Sequence, residues 1–266
     1  MPLMAHVTAA TGAGPRRTVI TDAGIAGLLV TLALVGWWWS VRMADDMASM
    51  EHTGAMGTMS MSASLSMAAY IVGWVAMMAA MMFPAIAPVV RLYSRAAARG
   101  TVAPLPFFVT GYLAVWGAIG IPAYFAWREL AGPLDAAAPW VGRLAGATLV
   151  TAAVYQLTPL KRACLRHCRS PLSMFVRFSG NARRPLVAMR LGLTHGTVCL
   201  GCCWALMAVL VAVGTMHIGW MAALTVVIFV EKVMPRGETF AAIAAVAFAV
   251  IGAVLLIDPS RITTIT

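Results

Sequence analysis

Charge is the scarcest property of this sequence. Only 11% of its 266 residues are Asp, Glu, Lys or Arg, against roughly 25% in a soluble domain, and the mean hydropathy is +0.86. That composition excludes a soluble globular domain and implies an integral membrane protein. No compact apolar region followed by a small-residue cleavage site opens the chain, so the first apolar run reads as a retained span rather than a signal peptide. Acids are rarer than bases, nine against nineteen. The resulting charge of +10 does not point to nucleic acid, because the bases fall in loops between apolar runs and report topology instead. The sequence contains neither a GxxxxGK[ST] phosphate loop nor the aspartyl-phosphate motif of P-type pumps, so no built-in energy coupling is visible. The last apolar run has no Lys, which excludes a retinal linkage. His195 is the one imidazole clearly inside a span, which excludes a bis-His haem.

What is present is a succession of apolar runs of about 20 residues. They predict an all-α, polytopic membrane helix bundle of about seven transmembrane helices: 19–40, 67–90, 106–127, 141–160, 186–213, 219–233 and 239–257. With the N-terminus in the cytoplasm, Arg42, Arg128, Arg143 and Arg261 fall outside and the other fifteen of the nineteen bases fall inside. That asymmetry predicts an N-in, C-out arrangement in a bacterial inner (plasma) membrane. Residues 1–18 form a cytoplasmic mobile tail, 19–257 a single bundle with a Met-rich outer loop (41–67) and a basic inner loop (161–190), and 258–266 an outer tail. The inner loop is basic enough to attract anionic lipid head groups.

The chemistry concentrates in Leu193 to Met207, LTHGTVCLGCCWALM. At about 100° per residue, His195, Cys199, Cys202 and Cys203 fall within an arc of about 100° on one helix face. They form a stripe of soft ligands at mid-membrane depth. Gly192 and Gly196 lie beside it with small-xxx-small spacing, which admits another helix backbone. Gly142 and Gly146 repeat that spacing in the fourth span, making it the first expected partner.

Four further sets of residues carry signals. Cys164 and Cys168, in YQLTPLKRACLRHCRSP, share one face if helical and sit among Lys161, Arg162, Arg166 and Arg169. Two thiols are too few for a closed structural zinc site but suffice for near-linear Cu(I) or a transfer station; incidental unpaired thiols are the alternative. Met77, Met78, Met81 and Met82 precede Phe83-Pro84 and spread over about 140°, so they read either as core packing or as thioether ligands. Pro84 and Pro88 predict a kink. The loop containing Met43, Met47, Met50, Met56, Met59, Met61 and Met67 reads as metal capture by thioethers, which bind Cu(I) without losing a proton, or as a flexible amphipathic segment. Glu231-Lys232 closes the sixth span either as an interfacial ion pair or with Glu231 facing a cavity as a relay.

The motifs AMMAAMMFPAIAPVV, YQLTPLKRACLRHCR and GxxHGxxCxGCCWALM, with the WM…EK pattern of the sixth span, resemble a bacterial family of unknown function known as predicted metal-binding integral membrane proteins. The resemblance runs from about Met67 to Arg236. It implies a multi-helix membrane fold and a metal site, with no established reaction. The residues matching its motifs are Met77, Met78, Met81, Met82 and Pro84; Cys164 and Cys168; and His195, Cys199, Cys202, Cys203, Trp204, Glu231 and Lys232.

Soft Cys and Met ligands select Cu(I). The leading expectation is a membrane protein that handles copper as Cu(I): a carrier, chaperone or assembly factor. Its partners would be the lipid bilayer and a copper protein or membrane complex. The alternatives are an accessory subunit of a larger copper-dependent membrane complex, and a membrane thiol–disulfide protein. The last needs a reactive pair at the outer face, whereas these Cys lie near the midplane or the inner face. No catalytic residue is assigned.

Overall fold

The computed structural model describes residues 66–136, 138–169, 183–214 and 217–265, with a few helical positions between 27 and 42. Among the described residues every regular element is helical. The elements are α1 (Met67–Ala98), α2 (Leu105–Asp135), α3 (Pro139–Gln156), α4 (Pro159–Arg169), α5 (Pro185–Val213), α6 (Ile218–Val233) and α7 (Gly237–Ile257), followed by a short helical tail. Helix starts follow local chemistry. The Ser66 hydroxyl accepts from the amide of Ala69 to cap α1, His217 Nδ1 accepts from the amide of Trp220 to cap α6, and Pro139 and Pro185 open α3 and α5, where the missing N–H costs nothing.

Four helices, α1, α2, α5 and α7, are long and apolar enough to cross a membrane. They coincide with the second, third, fifth and seventh expected spans. The fourth and sixth appear as α3 and α6, of 18 and 16 residues, or about 27 and 24 Å. The fourth ends earlier than expected: the chain turns at Leu157-Thr158, and Pro159 starts a separate helix. Residue 158 is biased away from helical backbone by the proline that follows. Conversely, α1 runs on through Pro84 and Pro88. The first expected span lies largely, and the Met-rich loop almost wholly, outside the described residues.

Glycines decide which helices touch, and they overturn one expectation. The glycine face of α5 receives α2 instead of the fourth span. A Cβ at Gly192 would strike the Phe108 carbonyl and the Tyr112 amide, one at Gly111 the Met189 carbonyl, and one at Gly196 the Val115 side chain. The pairing follows from reciprocity, because α2 offers Gly111 opposite Met189 while α5 offers Gly192 opposite Phe108. Gly142 and Gly146 of α3 pack instead on Pro259 and on Gly252 of α7.

The helices differ in reach, and that difference creates the site. Gln156 at the end of α3 meets Glu231 in the last turn of α6, so those two ends are level. Lys232, also in that turn, meets Cys199, midway along α5. Beyond this level α1, α2 and α5 continue with a small core of their own, built on Val89, Tyr93, Ala103, Phe108, Ala188 and Leu191. Helix α4 packs across the step where the shorter helices stop. It buries Lys161, Leu165 and Cys168 on one face and leaves Arg162, Arg166 and His167 exposed on the other.

Candidate metal centre

Five helices contribute to one sulfur-rich cluster. Helix α5 supplies Cys199, Cys202 and Cys203, spaced so that all three are buried on the same side. Helix α4 supplies Cys168, buried and near enough to Cys199 and Cys202 to interact with both. From α1 comes Met82, from α2 Tyr112 and from α6 Lys232.

Cys199 is the centre of this arrangement. The Lys232 ammonium donates to its Sγ at 2.9 Å, and the Tyr112 hydroxyl lies 3.1 Å from the same atom. The thiols of Cys202 and Cys203 turn back to donate to the Cys199 carbonyl at 3.0 and 2.9 Å. Lys232 Nζ also points at Met82 Sδ, 3.8 Å away. Every one of these residues is buried, with Cys199 and Met82 at 0% exposure, so the ammonium exchanges contact with water for contact with sulfur. Such a charge is tolerated only where a partner faces it.

A second polar group adjoins the first. Lys161 of α4 and Glu231 of α6 form an ion pair at 2.7 Å, with both side chains buried, and Gln156 Nε2 donates to the other carboxylate oxygen at 2.7 Å. Glu231 and Lys232, adjacent in sequence, therefore do not serve each other. One pins α4 and α3 to α6, while the other faces the sulfurs.

The remaining predicted residues distribute as follows. His195 is buried one turn from Cys199, between the rings of Phe108 and Tyr112 with centroids 6.0 Å from each. Its Nε2 has no hydrogen-bond partner among the described residues. Met77, Met78 and Met81 line the same core as Met82, and it is Met82 that meets the Lys232 ammonium. Cys164 is half-buried on α4 and faces Gly201, where a Cβ would lie 3.0 Å from its sulfur. Burial, and then the charge of Cys202, push the Cys164 thiol up from its ordinary value. Hydrogen bonds to Cys199 and Cys202, and then burial, hold Cys168 well above it. All five thiols are free.

Among the described residues no group of three or more His, Cys, Asp or Glu side chains is preassembled as a metal cage. The geometry shows why: two of the α5 thiols are engaged by a backbone carbonyl, and a lysine cation already occupies the space beside the third. Binding a metal through Cys202 or Cys203 would therefore require their thiols to turn away from that carbonyl. Two members of the cluster gave little signal in the sequence. Tyr112 lies in an apolar span with no motif around it, and Lys232 read as one half of an interfacial pair. A buried Lys on the next helix, more than thirty residues from Cys199, carries no local pattern that links it to the Cys stripe.

No curated protein and no solved structure matches the chain. Residues 71–255, the stretch holding every residue of the cluster, match a family profile, PpoB2, described as a copper chaperone. The match covers more than half of the chain, which therefore belongs to the PpoB2 copper chaperone family, with a role in handling copper.

Proposed function

We propose that this protein is a multi-pass protein of the bacterial inner membrane that carries copper as Cu(I), bound by the Cys199-centred sulfur cluster. The observation that carries this reading is the meeting of the Cys168, Cys199 and Cys202 thiols, with Cys203 beside them and Met82 across the Lys232 ammonium, at buried positions on three helices. Thiolate and thioether sulfur select Cu(I) over harder ions, and a dry, sulfur-lined site shields the ion from water. The basic ends of the helices support the cytoplasmic placement of the α4 side: Arg91, Arg95 and Arg99 of α1, the bases of α4, and Arg183, Arg184 and Arg236 lie at that end, with Arg128, Arg143 and Arg261 at the other.

Charge balance specifies how the ion is held. Lys161 and Glu231 cancel each other, leaving Lys232 as the buried charge that the sulfurs must balance. One thiolate neutralises Lys232 in the resting site. Adding Cu(I) adds one positive charge, which a second thiolate neutralises. Copper is therefore held by two thiolates, with the Met82 thioether as a third donor that needs no deprotonation. Loading accordingly releases one proton for the second thiolate.

The test is bound metal in the purified chain, measured by elemental analysis after growth with copper. The wild-type chain retains copper, and the chain with Cys199, Cys202 and Cys203 changed to Ser does not. Equal metal content in both would overturn the assignment.

A further inference from the structure

The copper cluster is enclosed, so copper must reach it through some group at its edge. Among its neighbours Cys164 alone among the five thiols is not fully buried. It sits on α4 one turn, about 6 Å, before Cys168, which is buried and interacts with Cys199 and Cys202. Gly201 leaves its sulfur room beside α5. Helix α4 is held at its two ends, by the Lys161–Glu231 pair and by Arg169 Nη2 donating to the Met234 carbonyl at 2.6 Å. Its other flank borders a cavity of about 180 Å³ lined by Leu157, Arg162, Leu165 and Glu238, among others. The helix is thus pinned at both ends, and Cys164 lies between them, only partly buried. Around that thiol, Arg162, Arg166 and His167 face outward.

We propose that Cys164 is the exchange thiol of the copper site, the group that takes copper from, or returns it to, an anionic Cu(I)–thiolate complex, with α4 as the arm that carries it. This rests on the copper site described above. Copper held by two thiolates carries a net charge of −1, and the outward arginines attract that charge. In the first step a Cys164–copper bond forms as one donor thiolate leaves, and the proton of the Cys164 thiol passes to the departing sulfur. Copper stays Cu(I), and the complex keeps its charge. In the second step the Cys168 thiol displaces the remaining donor thiolate in the same way and passes its proton to it, leaving copper between two protein sulfurs of α4, beside Cys199 of α5. Each step exchanges one sulfur for another, so no oxidant or reductant enters, and the path runs backward for release.

The experiment uses the full chain in detergent and two copper donors: Cu(I) bound by dithiothreitol thiolates, and Cu(I) bound by acetonitrile. Loading is followed in time and at its end point for the wild type, Cys164→Ser and the double variant Arg162→Gln/Arg166→Gln. The double variant alters exposed side chains and keeps the thiols. From the thiolate donor, Cys164→Ser loads at least about tenfold more slowly, yet reaches the wild-type copper content. The arginine variant also slows and loses the salt dependence of loading that steering produces. From acetonitrile, which leaves without needing a proton, the three chains load alike. Equal rates for Cys164→Ser and wild type from the thiolate donor would overturn the role of Cys164, as would a lower final copper content in Cys164→Ser, which would make Cys164 a core ligand. A wild-type chain that takes up copper from neither donor overturns the copper site itself and this step with it.

Discussion

Replacing Lys232 with Gln removes a charge and keeps nearly the same volume and a donor group. The ammonium lies 2.9 Å from Cys199 Sγ, and at an effective dielectric constant of 20 its attraction for a thiolate there is about 6 kcal/mol. Part of that is offset, because the variant no longer desolvates an ammonium; removing one partner of a buried pair costs about 3–5 kcal/mol in practice. A copper site with two thiolates would then carry an unbalanced negative charge in a dry interior. Copper affinity in Lys232→Gln should fall by roughly two to four orders of magnitude, measured by competition with a Cu(I)-specific chromophoric chelator. Folding is expected to survive, since the resting thiolate can take up a proton once its counter-charge is gone, and helical content by circular dichroism checks this. A folded Lys232→Gln chain with wild-type copper affinity would refute the charge-balance argument, even if the cysteines proved essential.

Four further outcomes follow from the geometry. Gly192→Ala drives a methyl into the Phe108 carbonyl of α2 and should lower stability by about 1–3 kcal/mol, read as a drop in Tm, whereas Gly73→Ala, with nothing within 4 Å, should leave Tm unchanged. Lys161→Met strands the Glu231 carboxylate and should cost about 3–5 kcal/mol, much of it recovered in Lys161→Met/Glu231→Leu; a double variant as unstable as the single one would count against the pair. Iodoacetamide attacks the thiolate, and the Cys164 thiol is raised above the ordinary 9.0 by burial. Its alkylation rate should therefore climb with pH to a midpoint above that value, with Cys164→Ser as the blank; a midpoint below it would contradict the burial of this side chain. Copper loading from the acetonitrile complex should release one proton per ion at neutral pH, measured with a pH indicator in weak buffer, and release of none would remove the second thiolate from the site.

The helical class, the apolar runs and the thiol stripe were legible because each rests on local periodicity. The 3.6-residue repeat puts Cys199, Cys202 and Cys203 on one face wherever α5 packs, and the i,i+4 spacing of Cys164 and Cys168 survives in α4. Helix partners were not legible, since small-xxx-small spacing says that a backbone can approach without saying which one. Gly142 and Gly146 match the pattern, whereas Gly111, with Phe107 and Val115 four residues to either side, does not. The role of Lys232 was hidden for a related reason. Its charge next to Glu231 invited a sequence-local pairing, while Lys161 and Gln156, seventy or more residues earlier, had already satisfied that carboxylate. Apolar context likewise concealed Tyr112, whose hydroxyl matters only once α2 lies against α5. Pro159, by contrast, was a visible breaker inside the expected fourth span, and it does start a new helix.

The central claim is that copper sits among the sulfurs gathered at Cys199. X-ray absorption at the copper edge of the loaded chain tests it most directly. The account predicts a Cu(I) edge with a first shell made of sulfur alone, reduced by one sulfur or lost altogether in Cys199→Ser. A shell containing nitrogen or oxygen, or a spectrum unchanged by Cys199→Ser, would contradict it.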